Sequence, residues 1–328
     1  MCGIFGWQVE GTRLNTSRRF SIFASVLMAG NDTRGGHSWG YVGRHKPRYS
    51  RVNKLVIKKG LGNIVGNVNP IVLTNFNCLM AHTRYASHGA KTVENAHPFK
   101  IKNVIGAHNG IVSNHKKLNE KYGRTFEVDS MHIFEHLASN IDVKDIEAYG
   151  AIEYIYKKNL NAINLCFFNG GDLAAYRFTD HKGVFWSSSE LHVKQALKMS
   201  GLNAVQLSLE ENTMYSVCDN NLYNTKTILN FDTYTSSLKW NSVATKNSRH
   251  SHHYGSSYLD DMESYNSGQY IGEFQSQGKP EDTNVSSSKG VYERVYHSVK
   301  ELEEQERLDA LSGQKLLFNN SFDVTKGV

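Results

Sequence analysis

A four-layer αββα sandwich, two mostly antiparallel sheets stacked between outer helices, is the α/β (α+β) fold predicted by this 328-residue sequence. Three observations predict it. Nine short segments rich in β-branched and aromatic residues are spread over the first 218 positions. Four segments with helical spacing are interleaved among them. After about residue 236 the apolar text gives out, so the core belongs to the first two thirds of the chain.

The strand segments are 3–9, 38–44, 54–58, 77–83, 103–107, 162–168, 172–178, 184–187 and 214–217, each a short apolar run bounded by polar or turn residues. Helical spacing is read over 18–29, 130–140, 143–157 and 190–198. Asp129 is the expected N-cap of the second helix, and Gly123 and Gly201 are expected stops. This gives a domain over 2–235. Residues 236–288 form a Ser/His/Asn-rich segment: across 241–290 only five of fifty residues are Leu, Ile, Val or Phe, and eleven are Ser. Such a segment buries too little surface to offset its ordering entropy, so a disordered linker is expected. Residues 289–328 hold an amphipathic helix and tail, with Tyr292, Val295, Val299 and Leu302 on one face.

Composition excludes several classes. The most apolar stretch, Ile22 to Gly30, is nine residues, against the roughly 20 that cross a bilayer. With no membrane span and no secretion signal, a soluble cytoplasmic protein is expected. Cys2, Cys78, Cys166 and Cys218 are widely spaced, with no Cys-x-x-Cys pair, so neither a disulfide scaffold nor a zinc site is expected. His250, His252 and His253 lie in the polar tract without carboxylates or Cys. No metal and no cofactor is expected, and no phosphate-binding glycine motif opens a helix. The last 88 residues carry nine basic and thirteen acidic side chains, leaving an excess of ten positive charges in the first 240. No basic run interleaved with aromatics stands out, so direct nucleic-acid binding is not indicated.

The chemistry starts at Cys2. Removal of the initiator Met would put a thiol and a free α-amine on one residue, with reference pKa values of about 8.5 and 7.7–8.0. The amine can then take the thiol proton without a histidine. Cys2-Gly3-Ile4-Phe5-Gly6 puts the thiol at the head of an apolar strand, where Gly3 allows close backbone approach. Three further segments follow: His82-Thr83-Arg84-Tyr85-Ala86-Ser87-His88-Gly89, then Asn95-Ala96-His97-Pro98-Phe99, then His108-Asn109-Gly110-Ile111-Val112.

These four segments, in this order, resemble the class II glutamine amidotransferase domain, whose first residue is a catalytic cysteine and whose fold is that of the N-terminal-nucleophile hydrolases. The resemblance covers roughly 2–220. It implies that Cys2 attacks the glutamine carboxamide and that Asn109 and the Gly110 N–H hold the developing oxyanion. It implies that Arg84 takes the substrate carboxylate, a task suited to its two-pronged donor set, and that Asp129 takes the ammonium. Ser87 and His88 are expected to add substrate contacts. Arg34, in Arg34-Gly35-Gly36-His37, is expected close to Cys2, with His37 standing where the family usually has Asp. His97 and His108 are expected to be buried imidazoles that hold loop backbone, and Cys78 and Cys166 ordinary core residues.

The resemblance makes L-glutamine the expected substrate. It also implies an ammonia-acceptor enzyme, expected on a separate chain, with nucleotide or deazaguanine base and amino-sugar biosynthesis as candidate settings. Two other readings stay open: an N-terminal-nucleophile amidohydrolase acting on another amide, and a binding or structural protein that keeps the fold without turnover.

Overall fold

The structure is a computed structural model and describes residues 2–10, 17–45 and 54–233. The expected linker and C-terminal helix lie outside these residues. In chain order the strands begin with β1 (Gly3–Val9), β2 (Ser38–His45), β3 (Lys54–Leu61), β4 (Cys78–Arg84), β5 (Phe99–Ile101) and β6 (Val104–Val112). They continue with β7 (Ala148–Tyr156), β8 (Asn159–Phe168), β9 (Ala174–Phe178), β10 (Gly183–Ser187), β11 (Ala204–Leu207), β12 (Thr213–Cys218) and β13 (Asn221–Ile228). The helices are α1 (Arg18–Asp32), α2 (Pro70–Thr74), α3 (His115–Tyr122), α4 (Met131–Ser139) and α5 (Glu190–Ser200).

Two sheets result, ordered β11-β9-β10-β1-β4-β2-β3 and β13-β12-β8-β7-β6-β5. Every ladder between neighbouring strands is antiparallel. Side-chain alternation along each strand divides the core into three apolar layers. In β1, Phe5, Trp7 and Val9 pack with Phe20 and Phe23 of α1 and Val193 of α5. Ile4 points the other way, into a layer shared with Met80, Ile105, Ile155, Leu165 and Trp186 from both sheets. On the far side of the second sheet, Ile152 and Phe168 pack with Leu118 of α3 and Phe134 of α4. Helix, sheet, sheet, helix is therefore the order of layers, as the sequence predicts.

Two expectations are corrected. Residues 143–157 are not a helix: 148–156 form β7, in the middle of the second sheet. Both faces of this strand are buried, Ile152 and Tyr154 on one and Ile155 on the other. Its apolar residues therefore show no two-residue alternation, and a helical period can be read into them. Nor does the Asp129 side chain cap α4. Ser130 occupies the N-cap position, and the Asp129 carboxylate accepts the Val112 N–H at 2.7 Å instead. Gly123 and Gly201 do end α3 and α5, with left-handed φ of 59° and 64°.

Candidate active site

Cys2 immediately precedes β1, which lies between β4 and β10. The register pairs Gly3 with Thr83 and Ile4 with His82, bringing Cys2 to the end of β4, where Arg84 is the last residue. By alternation, Cys2 shares the face of Ile4, while His82 and Arg84 share that of Met80. The site is thus the mouth of the layer between the sheets. Gly3 is required there: a Cβ would stand 2.7 Å from Thr83 Oγ1 and 2.8 Å from the Asn31 carbonyl.

One pocket is lined by Cys2, Arg84, Ser87, His88, Gly110 and Asp129, six of the nine residues singled out in the sequence. His97, His108 and Ser130 also line it. Asn109, Gly3 and Arg34 are not in its lining. Arg34 Nη1 donates to the Ser188 carbonyl at 2.5 Å, and Ser188 Oγ accepts the Ile4 N–H at 2.9 Å. Arg34 therefore supports β1 through Ser188.

The Cys2 sulfur accepts the Tyr85 N–H at 3.2 Å, and its thiol reaches the Tyr85 carbonyl at 3.4 Å. Burial pushes the thiol above its ordinary value, while the Tyr85 backbone, the chain's terminal charge and Arg84 pull it down. No sequence motif identifies this contact, because any residue but proline at position 85 supplies the same backbone groups.

Arg84 is buried and holds the loop that follows it. Its Nη2 donates to the His88 carbonyl at 2.5 Å and its Nη1 to the Ala90 carbonyl at 3.2 Å. Glu127, which the sequence reading passed over, clasps the same loop: its carboxylate accepts Ala90 N–H at 2.9 Å and Asn95 Nδ2 at 2.8 Å. Two hydrogen bonds hold that carboxyl below its usual range. Gly89, at φ +80°, lets the loop turn tightly against Val128. Across the pocket His88 Nδ1 lies 3.7 Å from Asp129 Oδ2.

No family model matches the chain. Sequence comparison finds similarity to glutamine–fructose-6-phosphate aminotransferase (isomerizing) of Caulobacter vibrioides, 34% identical over 146 residues, covering 44% of this chain and 22% of that protein. The enzyme of the same name from Bradyrhizobium diazoefficiens is 33% identical over 97 residues, covering 28% of this chain and 16% of that protein. The matched part is thus about a fifth of the length of these curated relatives. A solved structure described as the allosteric regulatory enzyme of purine biosynthesis aligns with TM-score 0.49 and 18% identity, covering 67% of this chain and 48% of that one. Over the matched part the chain is similar to glutamine-dependent aminotransferases.

Three buried histidines, His82, His97 and His108, and the half-buried His37 lie around the pocket. His82 Nε2 lies 3.1 Å from the His108 carbonyl, which can only accept, so Nε2 carries the proton. Burial holds His82 neutral, down to about 3, leaving its Nδ1 as an acceptor. His97 Nδ1, 3.3 Å away, is therefore the donor. His108 follows the same logic: Nε2 faces the Tyr149 carbonyl at 3.3 Å, so Nδ1 accepts from Ser130 Oγ at 2.9 Å. The fourth, His37, accepts the Ala86 N–H on Nδ1 at 2.8 Å.

Two other cysteines are less exposed than Cys2. Cys78 and Cys166 are buried, and burial pushes their thiols up to about 11 and about 12. Among the described residues, no group of three or more His, Cys, Asp or Glu could hold a metal ion. No helix among them is long and apolar enough to cross a membrane.

Proposed function

We propose that the domain hydrolyses free L-glutamine to glutamate and ammonia through a thioester on Cys2, after removal of Met1. The observation that carries this reading is the convergence of Cys2, Arg84, Gly110 and Asp129 on one pocket from four separate parts of the chain. These groups complement a free amino acid with a side-chain amide. The Asp129 carboxylate answers the ammonium, and the Arg84 guanidinium, beyond its two loop contacts, answers the carboxylate.

The Cys2 sulfur attacks the carboxamide carbon, and its proton passes to the α-amine of the same residue. The C=O π pair moves to oxygen, where the Gly110 N–H, with the Asn109 side chain beside it, stabilises the charge. Collapse of the tetrahedral intermediate breaks the C–N bond, and nitrogen takes the proton from the amine and leaves as ammonia. Water then attacks the thioester, delivering a proton through the same amine back to sulfur and releasing glutamate.

The finer part of the reading is that an enzyme on a separate chain consumes the ammonia, using it on a sugar or nucleobase acceptor. The names of the curated relatives, which join glutamine to fructose 6-phosphate, favour amino transfer over glutaminase activity alone as the purpose of such a domain. The amphipathic pattern of 291–311 is the candidate docking element. A pull-down in which deletion of residues 285–328 leaves acceptor binding and ammonia transfer intact would remove that assignment.

Intact mass and a glutaminase assay on purified protein test the central reading together. The expected result is loss of Met1, glutamate release from glutamine, and complete loss of turnover in Cys2→Ala with an unchanged fold. A retained Met1, or turnover that survives in Cys2→Ala, would remove the mechanism.

A further inference from the structure

Within the histidine relay one buried nitrogen, His97 Nε2, has no hydrogen-bond partner. His97 is 3% exposed and lines the pocket with Cys2. The relay fixes the character of that atom. The His108 carbonyl forces the proton onto His82 Nε2, His82 Nδ1 then accepts from His97 Nδ1, and His97 Nε2 is left as a lone pair. Burial and the neighbouring imidazoles hold His97 well below the ordinary histidine range, so the ring stays neutral. An unanswered buried acceptor in a ligand pocket calls for a donor from the ligand.

We infer that His97 Nε2 accepts a carboxamide N–H of the substrate and so distinguishes glutamine from glutamate. This rests on the glutaminase reading and deepens it. Glutamine has two sets of N–H donors. The ammonium is charged and suits Asp129, whereas the carboxamide NH2 is neutral and suits a neutral imidazole. Glutamate carries a carboxylate at that position, with no donor and two acceptor oxygens facing the same lone pair. The product is thereby repelled at the place where the substrate is held. His82 acts as a positioning residue, since it fixes which His97 nitrogen is bare.

The test compares glutamine with the γ-methyl ester of glutamate, which forms the same Cys2 thioester but offers no γ N–H. In wild-type protein glutamine turnover establishes the underlying reading; its absence would defeat that reading independently. Given turnover, His97→Phe is expected to lower kcat/KM for glutamine about tenfold to a hundredfold while leaving the ester within about twofold, and to tighten inhibition by glutamate. His97→Gln, whose side-chain oxygen can accept, is expected to recover part of the glutamine rate. An equal penalty on both substrates would overturn the inference and leave His97 a structural residue. Should the Phe variant fail to fold, 15N NMR of histidine-labelled Cys2→Ala protein gives the answer on the intact side chain. The unprotonated His97 Nε2 resonance is expected to move upfield on addition of glutamine and to remain in place with the ester. Its staying fixed with glutamine would overturn the inference equally.

Discussion

His37 Nδ1 accepts the Ala86 N–H at 2.8 Å while its ring stacks on Tyr85 at 4.4 Å. Tyr85 is the residue whose amide touches the Cys2 sulfur, so His37 holds the backbone that holds Cys2. The hydrogen bond requires an unprotonated Nδ1. Partial burial, then Lys91 and Arg84, lower the His37 pKa, which keeps the acceptor available below the pH where a free imidazole would titrate. The apparent affinity for glutamine is therefore expected to stay level as pH falls through about 6.5 and to weaken only below it. His37→Phe keeps a ring but loses the acceptor, and should lower kcat/KM about 2- to 13-fold. His37→Asn, which can still accept and does not titrate, should remove the acid limb of the affinity profile. Unchanged kcat/KM in His37→Phe would contradict this role.

A second outcome concerns Gly110. A Cβ built there would lie 2.0 Å from the Tyr149 carbonyl and 2.5 Å from His108 Nε2. The first of these is backbone of β7, paired to β6 along its length, and it has no room to withdraw. Gly110→Ala should shift the strand and carry its N–H away from the developing oxyanion. Turnover is expected to fall by about 10²–10³, the usual effect of losing one such donor, with a lower Tm as well. Kinetics of the folded fraction, compared with binding of glutamate to the same fraction, separates the two effects. A variant with normal turnover would place the oxyanion elsewhere.

Acid stability follows from the buried histidines. His82, His97 and His108 have folded pKa values lowered chiefly by burial, His82 to about 3. A base whose folded pKa lies below its unfolded value binds its proton more readily in the unfolded chain. Its contribution is complete above about pH 6.5 and is lost as pH falls toward the folded value. Each such imidazole adds a slope of up to about 1.4 kcal/mol per pH unit. Urea titrations at pH 7 and pH 5 should therefore show a clear loss of unfolding free energy on acidification. A midpoint that does not move would mean that these rings are charged or solvated in the folded protein.

The layering and the pocket were largely legible in the sequence, for a physical reason. Segments such as 3–9 and 38–44 are short runs whose length and content of β-branched and aromatic residues mark them as strands wherever they pack. Arg84 and Asp129 are marked by the resemblance rather than by residue type alone, and both line one pocket. β7 was not legible: a strand buried on both faces has no alternation, and Ala148, Ala151 and Glu153 carry no strand preference. Glu127 and the Tyr85 amide were hidden as well. The first acts by reaching across to a loop more than thirty residues earlier, and the second uses backbone atoms that no side chain identifies. The direction of the Asp129 carboxylate, toward Val112 and away from the helix it precedes, is likewise decided by tertiary contact.

Glu153 supplies the opposite pH dependence and a way to isolate it. Its side chain is fully buried between the sheets, with Oε2 accepting Trp186 Nε1 at 2.7 Å. Burial raises its pKa well above the ordinary carboxyl range, outweighing the hydrogen bonds from Trp186 and the Ala81 backbone. An acid with a raised folded pKa holds its proton more firmly in the folded chain. Its effect is therefore to lower stability as pH rises from about 4.3 toward the folded value. Glu153→Gln keeps the size and the acceptor for Trp186 but cannot ionise. The variant should match the wild type within about 1 kcal/mol near pH 5, then gain on it by up to about 1.4 kcal/mol per pH unit above that. The histidine slope is common to both proteins and cancels in the difference. A gap that stays constant from pH 5 to pH 8 would show that Glu153 is already ionised in the folded protein, with a counter-charge close enough to hold it.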